Sequence, residues 1–259
     1  MQKLREVVIT GMGAITVAGD WTLQSGVPES KVRLNSGVLF RDDFKLGNYL
    51  TSSKTYLDRC SSLALAGCAL ALGDAQVSFP LDDETSLSFG ITLGTHLGCL
   101  TTMKAFWDKI AASGVRGANS ILFSHSYFNS PISLCAIEWN LRGYHATFCA
   151  REASGLEAAR AAFDAIRLGH ADAMLCGGVE AASAERELFE PQSPEDSQAE
   201  AAAFFVLESA DFADARGAAR RVSIVESAFE NLDFPAARER FGDCGGATSA
   251  LALALAFNR

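Results

Sequence analysis

The chain has 259 residues, 49% of them hydrophobic and 20% charged, with 22 glycines. This is the composition of an ordinary globular chain with enough apolar side chains for a sizeable core, and one α/β unit over 1–259 is the default reading. A formal charge of -9 with no cluster of Lys and Arg excludes the phosphate-binding surface that a nucleic-acid partner requires.

Seven cysteines, at 60, 68, 99, 135, 149, 176 and 244, are odd in number and form no CxxC pair, which points to reduced thiols in the cytoplasm and to no metal site. The first five residues lead straight into a strand with no apolar signal region, and the apolar run at 247–257 is shorter than the roughly 20 residues that cross a bilayer. That run reads as a buried helix, and no membrane association is expected.

Residues 6–13 are apolar and β-rich, interrupted by Gly11 and Gly13, and predict a buried strand entering a tight turn. Thr16 stands where the third glycine of a dinucleotide-binding GxGxxG would be, so that fingerprint fails. Leucines and alanines over 54–75 predict a largely buried helix ending near Gly73, followed by a strand at 88–93. The segment Gly94-Thr95-His96-Leu97-Gly98 turns that strand into a helix running to about 112, and Pro131 opens a further helix over 131–141, closed by Arg142-Gly143. Next come a strand at 146–149, a helix at 152–168, a strand at 173–176 and a Gly177-Gly178 turn. Prolines, serines and acidic residues make 189–200 an exposed loop. Strands at 201–207 and 222–225 then flank a helix at 210–219, and 248–257 is the final helix. Strands alternating with helices predict a mainly parallel, covered sheet.

Several segments occur in one order: Val8-Ile9-Thr10-Gly11-Met12-Gly13, Lys54-Thr55-Tyr56-Leu57-Asp58-Arg59, Gly94-Thr95-His96-Leu97-Gly98, Asn140-Leu141-Arg142-Gly143 and Ala173-Met174-Leu175-Cys176-Gly177-Gly178-Val179-Glu180. Together they resemble the β-ketoacyl synthases of the thiolase fold. The resemblance runs from Val7 to about Ser227, and it implies the N-terminal half of an α/β thiolase-like ketosynthase fold with 228–259 as a shortened remnant of the second half. Within that remnant, residues 241–250 are similar to the family's late Gly-His-x-x-Gly-Ala segment and its helix, with Asp243 where the histidine would be.

The family's nucleophilic cysteine falls at Glu152. The interval to Gly177 decides this: Glu152 precedes it by 25 residues, matching the family without a gap, whereas Cys149 precedes it by 28 and would need an insertion in a packed helix. Each inserted residue turns the apolar face by about 100°. A thiol at a helix N-terminus gains thiolate character and can carry an acyl group, which a carboxylate cannot. The glutamate is expected to be held as an anion by the helix dipole and the free N–H groups of the first turn.

The run Arg151-Glu152-Ala153-Ser154-Gly155-Leu156-Glu157-Ala158 is similar to one in the chain-length factors of type II polyketide synthases, which lack the cysteine. The chain's length makes it resemble the short ketosynthase-like subunits of aryl polyene clusters. This resemblance implies a non-catalytic subunit without cofactor, forming a heterodimer with a cysteine-bearing ketosynthase that works on an acyl carrier protein. By analogy with family dimers the pairing would use the strand at 146–149 and the helix at 131–141. The acyl tunnel would end at Leu122, Phe123, Tyr127 and Phe128, whose bulk would stop elongation by overlap; ordinary core aromatics are the alternative for any one of them. Losing half the fold should also expose apolar surface. Two rivals remain: a stand-alone decarboxylase or hydrolase of carrier-protein thioesters using Glu152, with Asp243, and a scaffolding pseudo-ketosynthase. His96 and His125 are expected to be structural.

Overall fold

The computed structural model describes residues 4–29, 37–190, 197–219 and 222–257. In chain order the elements are β1 (Val7–Thr16), β2 (Gly19–Thr22), β3 (Gly37–Leu39), α1 (Arg59–Asp74), α2 (Asp83–Ser88), β4 (Phe89–Gly94), α3 (Leu100–Ser113), α4 (Ser120–Ser124) and α5 (Ser130–Trp139). There follow β5 (His145–Phe148), α6 (Ser154–Arg167), β6 (Ala173–Glu180), β7 (Ser197–Ala199), β8 (Ala201–Ser209), α7 (Ala210–Ala215), β9 (Val222–Ile224), α8 (Phe234–Phe241) and α9 (Thr248–Phe257).

The main sheet has the order β2-β1-β8-β6-β4-β5, with β9 lying beside β1 as well. The strands β6, β4 and β5 run parallel, but β8 is antiparallel to both of its neighbours, β6 and β1. The sheet is therefore mixed, where alternation alone predicted a mainly parallel one. Among the described residues the connection from β6 to β8 holds only a short 3-10 turn at 184–188 and β7, and β8 lies between β1 and β6 in the opposite sense.

Side chains alternate across this sheet with period two. Phe204 joins α1 and α5 on one face, together with Leu63, Leu65 and Ile132. Phe205, its neighbour in β8, joins α6 and α9 on the other, together with Phe163, Ala250 and Leu251. Burying each such ring contributes roughly 1.5–3 kcal/mol, so the two faces are both core and the architecture is a covered sheet.

Two glycine pairs read as turns lie inside strands instead. β1 continues through Gly11 and Gly13 to Thr16, and a Cβ on either glycine would overlap α1, at Ala75 and Leu70 respectively. β6 continues through Gly177 and Gly178 to Glu180; a Cβ on Gly177 would overlap the Ala203 carbonyl, and one on Gly178 would lie 2.7 Å from the Gly246 oxygen. The glycines are there for close approach of neighbouring backbone.

Other boundaries shift for local reasons. α1 begins at Arg59 because Asp58 caps it, accepting from Cys60 N at 2.8 Å and also from Thr102 Oγ1 at 2.6 Å, which ties α1 to α3. α5 is closed by Asn140 in the left-handed region (φ 53°), ahead of Arg142-Gly143. Of the loop expected at 189–200, residues 191–196 lie outside the described residues, while 197–199 form buried β7, parallel to β3.

The C-terminal helices are packed, not bare. α9 is buried from Thr248 to Ala254 against α6 and α8, and partly buried Val17, Leu23 and Val27 close over the same cluster. The expected exposed apolar surface lies elsewhere, around 107–144. No helix among the described residues is long and apolar enough to cross a membrane.

Candidate functional site

β5 runs into a sharp elbow and then α6. Arg151 takes a positive φ of 54°, a conformation uncommon for a residue with a Cβ. Ser154 Oγ locks the bend, accepting from Ala150 N at 2.9 Å and donating to the Arg151 carbonyl at 2.5 Å. A Cβ on Gly94 at the end of β4 would overlap the Ser154 backbone, so the elbow rests directly on the sheet.

Glu152 sits at this bend, before the first helical residue of α6, and its partner is not the helix terminus. Its carboxylate accepts from Arg238 of α8 at 2.5 Å, while the Leu156 N–H of the first turn donates to Ser249 Oγ at 3.0 Å. The expectation that the dipole and free N–H groups would hold this carboxylate is thus corrected: α9 satisfies a helix N–H and α8 supplies the counter-charge.

Arg238 lies 4.0 Å from Asp243 as well, so the structure brings together the two carboxylates that no sequence spacing could relate. Asp243 in turn pairs with Arg186 at 2.7 Å, and Arg186 with Glu190 at 3.1 Å. Glu190 also receives Arg151 at 3.1 Å and His96 Nε2 at 2.8 Å. Partial burial opposes ionisation of Glu190, but the bond to His96 and the nearby Arg186 outweigh it and hold the carboxyl below its usual range. The result is an alternating chain of acids and bases running from Glu152 to Glu190 and His96.

Beneath it, Glu180 is fully buried at the end of β6 and accepts from the backbone N–H groups of His96 (2.6 Å), Leu97 (3.1 Å) and Gly246 (2.9 Å). Burial pushes its carboxyl up despite these donors. Cys149, the nearest thiol in sequence, is likewise pushed up, by desolvation and by the Glu180 charge, which is the reverse of the activation a nucleophilic thiol needs.

The second region flanks β5, the edge strand of the sheet. Leu122 and Phe123 lie on α4, which Asn119 caps through the N–H groups of Ile121 and Leu122, and Tyr127 and Phe128 follow it. These are not core aromatics: Phe123 is 47% exposed, Tyr127 49% and Phe128 38%, with Leu122 half-buried. Phe123 meets Tyr127 edge-on at 5.0 Å between ring centroids. Ile137 on α5 (76% exposed) and Tyr144 before β5 add to this apolar flank, and Thr147 Oγ1 and His125 Nδ1 have no hydrogen-bond partner among the described residues. The His125 ring packs edge-on against Tyr56 at 5.4 Å.

Residues 28–193 match the family described as "Beta-ketoacyl synthase, N-terminal domain". The chain belongs to the β-ketoacyl synthase family. Among relatives of this ketosynthase-like chain, the 3-oxoacyl-[acyl-carrier-protein] synthase 2 of Synechocystis sp. is 26% identical over 194 residues, covering 69% of this chain and 46% of the relative. The chain spans about half the length of the curated relatives it matches.

The ketosynthase fold is shown by solved structures. "The ishigamide ketosynthase/chain length factor" superposes with a TM-score of 0.76 at 19% identity, covering 98% of this chain and 85% of the other. A type II polyketide synthase acyl carrier protein in complex with its ketosynthase bound to the hexaketide, AntDE with AntF, gives 0.74 at 22% identity over 86% and 68%.

Sequence reasoning missed Arg238, Arg186 and Glu190, which carry no motif. Glu180 could have been noticed as the last residue of the quoted Gly-Gly-Val-Glu segment, where an acid ends a strand that is otherwise apolar and glycine.

Proposed function

We propose that this ketosynthase-like chain is a non-catalytic, chain-length-factor-like subunit that pairs in the cytoplasm with a cysteine-bearing ketosynthase and shapes the acyl tunnel during polyketide or polyene elongation. The observation that carries this reading is the pairing at the elbow: Glu152, which the resemblance sets at the nucleophile position, is paired with Arg238, and Asp243, which it sets at the histidine position, is paired with Arg186. Neither can accept an acyl group from a thioester as a thiolate does. The solved relative that includes a chain length factor supports the pairing, and the relative in complex with its carrier protein supports contact with an acyl carrier protein through the pair.

The open edge of β5 and the apolar flank around Phe123, Tyr127 and Ile137 are where the partner would dock, since backbone groups and apolar side chains there lack cover among the described residues. Leu122, Phe123, Tyr127 and Phe128 would then be enclosed between the subunits at the far end of the tunnel.

Co-expression with a cysteine-bearing ketosynthase, followed by co-purification and a product-length assay with carrier protein, tests the reading. A stable heterodimer active only as a pair is expected. Turnover by this chain alone, abolished by Glu152→Gln, would overturn it and make Glu152 a catalyst.

A further inference from the structure

The aromatic side chains at the proposed tunnel end do not stand singly. Trp107, Phe106, Phe123 and Tyr127 form a continuous row with centroid separations of 5.6, 5.5 and 5.0 Å, within the range at which aromatic pairs interact favourably. Only Phe106 in this row is buried, at 8% exposure; Trp107, Phe123 and Tyr127 all project from the surface.

The supports of the two ends differ. α3 is a helix of fourteen residues whose start is tied by Thr102 to the buried Asp58, whereas α4 is a five-residue helix with no buried side chain. A short helix of that kind has little of its own to fix its direction, because helical turns this brief are marginal without tertiary packing. The Phe106 ring is the packed aromatic contact that α3 offers to Phe123, and Phe123 in turn orients Tyr127 edge-on at 89°.

We infer that Phe106 is a positioning residue for product length: it fixes how far Phe123 and Tyr127 project, and thereby where an acyl chain is stopped. This rests on the chain-length reading proposed above. Phe106 need not touch the acyl chain to act, because a smaller side chain at 106 leaves room for the Phe123 ring to fall back toward α3. Of the two rings against Phe106, Trp107 is held beside it on the long helix α3, whereas Phe123 stands on a short helix with no buried side chain, so Phe123 is the ring that can move into the space. The effect must therefore pass through Phe123.

The test is a double-mutant cycle in the heterodimer, read by product length. Phe106→Leu is expected to shift the distribution to longer products, as Phe123→Ala does, and the combined variant to give the Phe123→Ala distribution without further lengthening, since two residues acting through one ring are not additive. Phe106→Tyr, which keeps the ring, is expected to restore the parental length. Heterodimer yield and melting temperature are measured on each variant, because loss of packing alone would lower these without moving product length.

Lengthening by Phe123→Ala with none by Phe106→Leu, or fully additive lengthening in the combined variant, overturns this inference alone. No change with Phe123→Ala, or an inactive parental pair, overturns the chain-length reading and this inference with it. In the isolated chain, ring resonances of fluorinated Phe123 that stay fixed on Phe106→Leu would also overturn it, whatever the partner does.

Discussion

The elbow and the flank of β5 are two solutions to the same need for counterparts. At the elbow three acids have a base within the chain: Glu152 has Arg238, Asp243 has Arg186, and Glu190 has Arg186, Arg151 and His96. On the flank, Phe123, Tyr127, Ile137 and the β5 edge have no equivalent cover among the described residues. A region that has satisfied its own groups has little left with which to bind, whereas one with open groups is built to be completed. This chain's function is proposed to lie at the second region.

The comparison can be broken most severely at the glycine frame below the elbow. Gly177→Val would drive a branched side chain into the Ala203 carbonyl, and overpacking of that kind costs about 3 kcal/mol or more because backbone cannot yield; chemical denaturation should show little folded protein. Arg186→Ala should come next, at roughly 1.5–3 kcal/mol, because it takes the shared guanidinium from half-buried Asp243 and Glu190, although Glu190 keeps Arg151 and His96. A melting curve within one degree of the parent would show that the ion-pair chain is decoration.

Ile137→Asp probes the other region. An exposed substitution should leave stability within about 0.5 kcal/mol, yet it should sharply reduce co-purification with the partner ketosynthase, since it buries an unpaired charge at the flank. Unchanged pairing would move the interface elsewhere. Acidification offers a gentler contrast: Glu190, with its lowered folded pKa, stabilises the protein above the unfolded carboxylate range near pH 4.3, and that contribution is lost as pH falls through the folded value. Glu190→Gln should flatten this part of the stability profile.

The smallest effect is expected at the most conspicuous residue. The Glu152–Arg238 pair is substantially exposed on both sides, and such pairs contribute about 0–1 kcal/mol. Glu152→Ala should therefore barely alter melting and should leave condensation by the pair largely intact; complete loss of condensation in a correctly assembled complex would return Glu152 to chemistry.

How much of this was legible beforehand depended on whether the signal was local. Period and composition located β1, β4, β5, α6, β8 and α9, with Glu152 lying just ahead of the Ser154 at which α6 begins. Gly11, Gly13, Gly177 and Gly178 misled because a glycine demanded by a neighbouring backbone is indistinguishable, in one chain, from a glycine demanded by a turn. The direction of β8 and the partners of Glu152 were out of reach for a related reason: Arg238 is 86 residues away, and nothing in Ala236-Ala237-Arg238-Glu239-Arg240 marks which arginine faces the elbow. Phe123, Tyr127 and Phe128 were singled out by resemblance, but their exposure follows from tertiary packing that the sequence pattern does not encode.

The position of β8 between β1 and β6 governs how this chain can be made. Val7 pairs with Ser209, and Ala173 with Glu208, so during synthesis the first strand has no neighbour on that side until some two hundred residues have been added. Contacts of such span slow folding, and the strands already present have unpaired edges in the meantime. Synthesis halted before residue 201 would leave β1 and β6 with facing open edges and no strand to join them, making such a fragment a substrate for aggregation or for chaperones, however sound its local helices.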